Sequence, residues 1–150
     1  MEYKFRLRDL REDNDYSLEY IASILSCSFS NCGRMEKDNN IIRLKDLDLL
    51  ANLYNTSTDY ITKLTNNKKS CSNNKKYNAL QTSKIIYDLR IEAKLTQKDL
   101  AKKLKSNQAT ISKIEGNTRE LNTLLAIEYT KIFNVSLDYL MGRTETKEKY

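Results

Sequence analysis

The chain has 150 residues, enough for one ordinary domain or two very small ones. Its formal net charge is +6, and 39% of its residues are apolar and 31% charged, a composition typical of globular proteins. Proline is absent and glycine occurs only three times, which excludes collagen-like and glycine-rich chains. Histidine is also absent, which excludes Ser-His-Asp and Cys-His catalysis and histidine-bound zinc. We therefore expect neither an enzyme nor a cofactor.

The cysteines and the N-terminus favour a cytoplasmic protein. Cys27, Cys32 and Cys71 are odd in number and lack the C-x-x-C spacing, as expected for reduced thiols. Two of the first five residues, Glu2 and Lys4, are already charged and no apolar segment follows them, so no secretory signal is expected. The longest apolar runs are only a few residues, against the roughly 18–20 that span a bilayer. We expect no membrane contact.

The sequence repeats itself at an offset of 79 residues without a gap. The identical pairs include Asp9 and Asp88, Leu10 and Leu89, Arg11 and Arg90, Glu36 and Glu115, Asn55 and Asn134, Ser57 and Ser136, Asp59 and Asp138, and Tyr60 and Tyr139. This period is longer than the roughly 20–50 residues of solenoid repeats. It predicts two tandem domains, residues 1–65 and 83–144, followed by a charged tail at 145–150.

The first unit is predicted to form five short helices. Ser17, Ser28 and Ser57 are N-cap residues for the second, third and fifth helices. Helical spacing of apolar residues marks the buried faces of the second and fourth helices. These residues are Ile21, Ala22, Leu25, Leu47, Leu50 and Leu53.

A polar joint follows the first unit. Residues 66–78, NNKKSCSNNKKYN, contain almost nothing apolar and cannot bury enough surface to order themselves. We therefore predict a flexible basic linker over 66–82, which has four lysines and no acidic residue. The first 65 residues carry a net charge of −2, whereas residues 83–150 carry +4. A polyanion would thus be attracted to the linker and the second unit.

The second unit repeats the five-helix plan. Ile85, Ile86, Leu89 and Leu95 form the apolar stripe of its first helix. Thr96 and Asp99 have the spacing of a capping box for a helix from Gln97 to Leu104.

After a short joint, Asn107 caps a third helix, Gln108–Glu115, which buries Ile111 and Ile114. Gly116 and Asn117 then supply a left-handed stop. A fourth helix covers about 121–133. A fifth begins at the cap Ser136, with Asp138 placed favourably against the helix dipole.

Two stretches of the second unit resemble the helix-turn-helix domain of the Xre family, the repressor and Cro proteins of lambdoid phages and their bacterial relatives. They are TQKDLAKKLKSNQATISKIEGN, residues 96–117, and NVSLDYLMGRT, residues 134–144. The resemblance covers nearly all of 83–144 and, less well, 3–65. It implies an all-α fold of two tandem five-helix, lambda-repressor-like domains. The family usually has Asn-Gly where this chain has Gly116-Asn117.

The resemblance implies that the helix Gln108–Glu115 lies in the major groove of double-stranded DNA. Gln108 would bond to adenine, Ala109 would contact a thymine methyl, and Lys113 would reach guanine or a phosphate. Gln97 matches the family's phosphate-binding glutamine. The other expected DNA ligands are Asn107, Thr110, Ser112 and Arg119, with the linker lysines adding unspecific attraction.

Other interpretations stay open for these side chains. On composition alone, Gln108 and Lys113 are more typical of solvated helix surface than of DNA ligands, and the family resemblance reverses this preference. Arg90 with Glu115, and Arg11 with Glu36, resemble the family's ion pair between the first and third helices, which implies a structural role.

The first unit departs from the family at its presumed DNA surface. It has Leu18 in place of Gln97 and Phe29 in place of Gln108. Leu18 cannot bind phosphate, and Gly33 within the third helix costs about 1 kcal/mol relative to alanine. A second DNA contact or a protein contact is equally open for this surface, which comprises Ser28, Phe29, Ser30 and Arg34. Cys32 replaces Ile111 and is expected in the core.

Two functional hypotheses follow. The first is a sequence-specific DNA-binding transcriptional regulator, a repressor by the family's default. An extended linker of roughly 45 Å would then span half-sites roughly 34–36 Å apart. The alternative is a protein-binding adaptor or antitoxin-like inhibitor that uses the first unit as its partner surface. A homodimer or protein partner through the first unit fits either hypothesis.

Overall fold

The computed structural model describes residues 4–37, 42–68 and 75–147. The chain divides into two compact units, residues 1–71 and 72–150. Within the described ranges each unit contains five helices and no strand, so the predicted all-α fold of two five-helix units is confirmed. No helix in these ranges is long and apolar enough to cross a membrane.

The first unit follows the predicted plan. Its helices are α1 (Leu7–Asp13), α2 (Leu18–Leu25), α3 (Phe29–Lys37), α4 (Leu44–Leu53) and α5 (Thr58–Ile61). The hydroxyls of Ser17, Ser28 and Ser57 each accept a hydrogen bond from a backbone N–H three residues later, which confirms the three predicted caps. The predicted core is buried except for Leu53, which is half-buried, and Cys32 lies in the core as expected.

The second unit contains α6 (Ala79–Glu92), α7 (Gln97–Lys103), α8 (Gln108–Glu115), α9 (Thr123–Phe133) and α10 (Leu137–Leu140). The capping box of α7 is present in both directions, because the amide of Asp99 donates to Thr96 Oγ1 at 3.0 Å and the amide of Thr96 donates to Asp99 Oδ2 at 3.2 Å. Asn107 caps α8 by accepting from the amide of Thr110 at 2.8 Å. The bounds of α8 are those predicted.

The turns of the two units share a backbone shape. Non-helical residues with positive φ recur at the 79-residue offset. The pairs are Asp15 and Lys94, Ser26 and Lys105, Asn55 and Asn134, and Lys63 and Gly142. Three of the four pairs differ in residue type, although left-handed geometry is costly for residues other than glycine and asparagine. The repeat is therefore a repeat of structure as well as of sequence.

The linker is shorter than composition predicted. Residues 79–82 are helical, because Asn78 accepts hydrogen bonds from the amides of Leu80 and Gln81 at 3.0 and 3.3 Å and so starts α6 four residues before the expected boundary at 83. At its other end, Thr56 Oγ1 donates to the carbonyl of Lys68 at 3.1 Å. The prediction of a flexible linker over 69–74, including the Cys71 thiol, lies outside the described residues.

The start of the predicted tail packs against the second unit. The amide of Ser136 donates to the carbonyl of Lys147 at 2.9 Å, and residues 148–150 lie outside the described range. Asp138 does more than face the helix dipole, since it is fully buried and accepts from Arg143 Nε at 3.1 Å. The Arg143 side chain is only 1% exposed. Arg143, whose burial the sequence does not indicate, is thus part of the core.

Candidate nucleic-acid interface

A buried ion pair joins the end of α6 to the end of α8. Arg90 Nε donates to Glu115 Oε1 at 2.6 Å, and Arg90 Nη2 donates to Glu115 Oε2 at 3.0 Å. The two side chains are only 9% and 5% exposed. The hydrogen bond to Glu115 raises the pKa of Arg90 above its ordinary value. Because Arg90 Nη1 also donates to the carbonyl of Leu95 at 2.9 Å, the guanidinium fixes the approach to α7 as well.

Gln97 is the third member of this network. Its Nε2 donates to Glu115 Oε2 at 2.9 Å, and the side chain is half-buried at the first position of α7. An amide NH₂ has two donors, so this bond orients the group and leaves one N–H for another partner. The contact was not foreseen from sequence, where nothing links Gln97 to Glu115 except their shared place in the family pattern.

Helix α8 has one buried and one exposed face. Ile111 is fully buried and Ile114 is 2% exposed. A second anchor lies at its C-terminal end, where the hydroxyl of Ser83 on α6 donates to the carbonyl of Ile114 at 2.9 Å. The residues expected to contact DNA from this element are exposed, except for Thr110, which is half-buried. The exposed ones are Asn107, Gln108, Ala109, Ser112 and Lys113.

The loop after α8 folds back over the same helix. The carbonyl of Lys113 accepts from the amide of Thr118 at 2.9 Å, and Asn117 takes the left-handed conformation with φ of 55°. The turn is therefore kept with the order Gly116-Asn117. It brings the exposed Arg119 back to α8, where Arg119 Nη1 donates to Thr110 Oγ1 at 3.3 Å. Arg119 and the first turn of α8 thus share one surface.

The structure describes three of the four lysines of the predicted linker. Lys75 Nζ forms an exposed ion pair with Glu145 at 2.7 Å. An exposed pair of this kind is weak, but it lowers the net charge that Lys75 presents. Lys76 and Lys68 are exposed, and Lys69 lies outside the described residues.

The first unit has the same frame with a different surface. Arg11 Nε donates to Glu36 Oε1 at 2.6 Å, but the second bond is longer, at 3.3 Å, and the side chains are 14% and 12% exposed. Leu18 occupies the place of Gln97, so α2 offers no side-chain amide to Glu36. Phe29 is 56% exposed at the start of α3. Its exposed neighbours on this surface are Ser28, Ser30 and Arg34.

The two described cysteines belong to this unit. Burial raises the pKa of the Cys32 thiol to about 11 and also raises that of the half-buried Cys27. The thiolate is the reactive form of cysteine. Both side chains are therefore protonated at neutral pH, as is typical of inert structural thiols.

Comparison with known proteins agrees with this geometry. The helix-turn-helix family matches the chain twice, over residues 7–61 and 86–140. The chain is 31% identical over 70 residues to the HTH-type transcriptional regulator ImmR of Bacillus subtilis (strain 168), covering 47% of this chain and 55% of that protein. It thus spans about half the length of that relative, and no solved structure matches it. The protein is a member of the Xre-like helix-turn-helix family and carries the family's domain twice.

Proposed function

We propose that the protein is a sequence-specific transcriptional repressor whose second unit inserts α8 into the major groove of double-stranded DNA. The observation that carries this proposal is the division of α8 into a buried apolar face and an exposed polar face. The exposed face begins at the capped N-terminus, the end that contacts base edges in helix-turn-helix domains. Repression follows from occupation of a promoter.

Direct readout is assigned to two side chains of α8. Gln108 is exposed at the first position of the helix and bonds bidentately to adenine N6 and N7. Lys113 is exposed about a turn and a half later and reaches guanine or a phosphate. Ala109 presents its methyl group to thymine, and Ser112 lies on the same face of the helix.

Phosphate contacts surround this helix. Gln97 has a second amide N–H that can donate to a phosphate, because only one of the two is used in the bond to Glu115. Arg119 is positioned beside the first turn of α8 by its contact with Thr110. Together with Asn107, these groups fix the register of the helix on the duplex without reading sequence.

Selection of bound duplexes from a random pool, followed by salt titration on the enriched sequence, tests the proposal. Gln108→Ala should cost about 1–3 kcal/mol at one base pair and relax specificity there. Arg119→Ala should weaken binding to all sequences and reduce the salt slope by about 1. The matched control is Phe29→Ala, which alters the equivalent position of the first unit.

Two outcomes would refute this assignment. The first is the absence of any enriched motif, with binding that depends steeply on salt alone. The second is an enriched motif that Gln108→Ala leaves unchanged at every base pair. If Phe29→Ala shortens the motif, the first unit reads DNA as well.

The exposed aromatic surface of the first unit favours a second function, as a protein-binding adaptor or antitoxin-like inhibitor. Phe29 and Tyr20 are 56% and 41% exposed, and residues 1–65 carry a net charge of −2, which opposes approach to DNA. Exposed aromatic side chains are typical of protein contacts. This function requires that Phe29→Ala abolishes a protein complex that Gln108→Ala leaves intact.

A further inference from the structure

One face of α6 exposes apolar side chains along the length of the helix. Leu80, Tyr87 and Ile91 are 52%, 47% and 49% exposed, whereas Ile86 and Leu89 on the opposite side are buried. Separations of seven and four residues place the three exposed side chains on one narrow stripe of an α-helix. Lys84 lies on the same stripe, between Leu80 and Tyr87.

The first unit shows that the fold does not need this apolar stripe. At the 79-residue offset, Tyr87 and Ile91 correspond to Arg8 and Glu12 of α1. These two form an exposed ion pair at 2.8 Å, with side chains 70% and 52% exposed. The same surface is therefore charged and solvated in one unit and apolar in the other. An apolar stripe that the domain itself does not bury is a candidate contact surface.

We propose that this stripe binds α6 of a second copy of the chain, as an antiparallel helix pair around a twofold axis. The positions 80, 84, 87 and 91 have the alternating spacing of the a and d positions of a heptad. This spacing reads the same in both directions along the helix. In the antiparallel pair Leu80 therefore packs against the partner's Ile91, and Lys84 packs beside the partner's Tyr87. A surface that is complementary to itself is what a twofold dimer requires.

The charges on α6 fit the antiparallel orientation. Lys84 and Asp88 are exposed, and neither forms an ion pair within residues 75–147. In the antiparallel register Lys84 lies opposite the partner's Tyr87. The partner's Asp88 is the next residue along and lies on the same side of the stripe. Two equivalent ion pairs then flank the apolar contacts. A parallel pair would instead place Lys84 beside the partner's Lys84, and like charges repel.

The interface is small. Only three apolar side chains contribute from each copy, so the buried area falls below the roughly 1,200 Å² of a standard stable interface. The dimer is therefore weak and depends on protein concentration. This inference goes beyond the proposed function and does not rest on it, because association through α6 is measured without DNA.

Sedimentation equilibrium of the full chain without DNA tests the dimer. The variant Tyr87→Arg with Ile91→Glu transplants the pair that α1 already carries at these positions, so the helix is expected to tolerate it. The dissociation constant of the dimer should rise at least about tenfold. Losing the burial of even one of the two apolar side chains costs about that factor. Tyr20→Arg, which changes an exposed aromatic residue of the first unit, is the matched control and should leave association unchanged.

A charge exchange tests the register. Lys84→Asp and Asp88→Lys should each weaken self-association, because each places like charges opposite one another in a homodimer. Mixing the two variants should restore association as a heterodimer, because every opposing pair is then of opposite sign. Circular dichroism checks that each variant is folded.

Three results would overturn the proposal. One is a monomer at every concentration up to roughly 1 mM. Another is a dimer that the Tyr87 and Ile91 changes leave intact. The third is a dimer that Tyr20→Arg abolishes, which would assign the contact to the first unit.

Discussion

Removing the carboxylate of Glu115 is expected to destabilise the second unit strongly. Arg90 would lose two hydrogen bonds, of 2.6 and 3.0 Å, and Gln97 would lose one of 2.9 Å. Because the Arg90 side chain is only 9% exposed, the guanidinium would stay largely buried without its partner. Breaking a buried pair in this way costs about 3–5 kcal/mol, and we expect Glu115→Ala to fall in that range.

The first unit supplies the matched control, Glu36→Ala. Arg11 and Glu36 occupy the same positions but are more exposed, share a second bond of 3.3 Å, and lack an amide donor from α2. Water therefore compensates part of the loss, and we expect about 1–3 kcal/mol. We therefore expect Glu115→Ala to cost more stability than Glu36→Ala. The residue types are identical, so the difference comes from burial and from the number of hydrogen bonds.

Hydrogen exchange read peptide by peptide on the full chain measures both effects, because it reports the opening of each unit separately. Replacing both partners, as in Arg90→Met with Glu115→Leu, should restore much of the stability, since no buried charge is then left alone. The reasoning is refuted if Glu115→Ala costs no more than Glu36→Ala. It is refuted equally if the double variant is less stable than Glu115→Ala.

Three further predictions concern other parts of the fold. Asp138→Ala should destabilise the second unit by about 3–5 kcal/mol in urea unfolding, because Arg143 is only 1% exposed and would lose its carboxylate; an effect below 1 kcal/mol would contradict this. Burial raises the pKa of Cys32 from 9.0 to about 11, so the first unit should lose stability as pH rises from about 9 to 11, and Cys32→Val should reduce that loss, with part of it remaining because burial also raises the pKa of Cys27. Thr96→Ala should cost about 0.5–2 kcal/mol through loss of the cap on Asp99, and Thr96→Ser should recover most of it in thermal unfolding.

Sequence reasoning located the helices that carry the candidate site. The bounds of α8 and the caps Thr96 and Asn107 are as predicted, because capping depends on residues that lie next to one another in the chain. The buried pair of Arg90 and Glu115 was also foreseen. The resemblance to the Xre family supplied this contact between distant residues, and both members recur at the same offset in the first unit.

Long-range contacts without such a signal were missed. Arg143 was left unassigned, since a charged residue is normally exposed and nothing near it in sequence announces that Asp138 will bury it. Residues 79–82 at the start of α6 were predicted to be linker, because amino-acid composition alone does not indicate that Asn78 caps a helix. The hydrogen bond from Gln97 to Glu115 depends on how α7 packs against α8, which sequence spacing alone does not specify.

At the left-handed turns, the surface charge can change while the backbone conformation stays the same. Asp15 and Ser26 of the first unit correspond to Lys94 and Lys105 of the second, a gain of three units of charge at exposed positions. The backbone at these turns keeps its conformation through the change. Positive charge near a binding surface raises the rate of encounter with a polyanion over about 10 Å at ordinary ionic strength. The rate at which the second unit encounters a polyanion can therefore be adjusted, in either direction, from positions that contribute no side chain to the core.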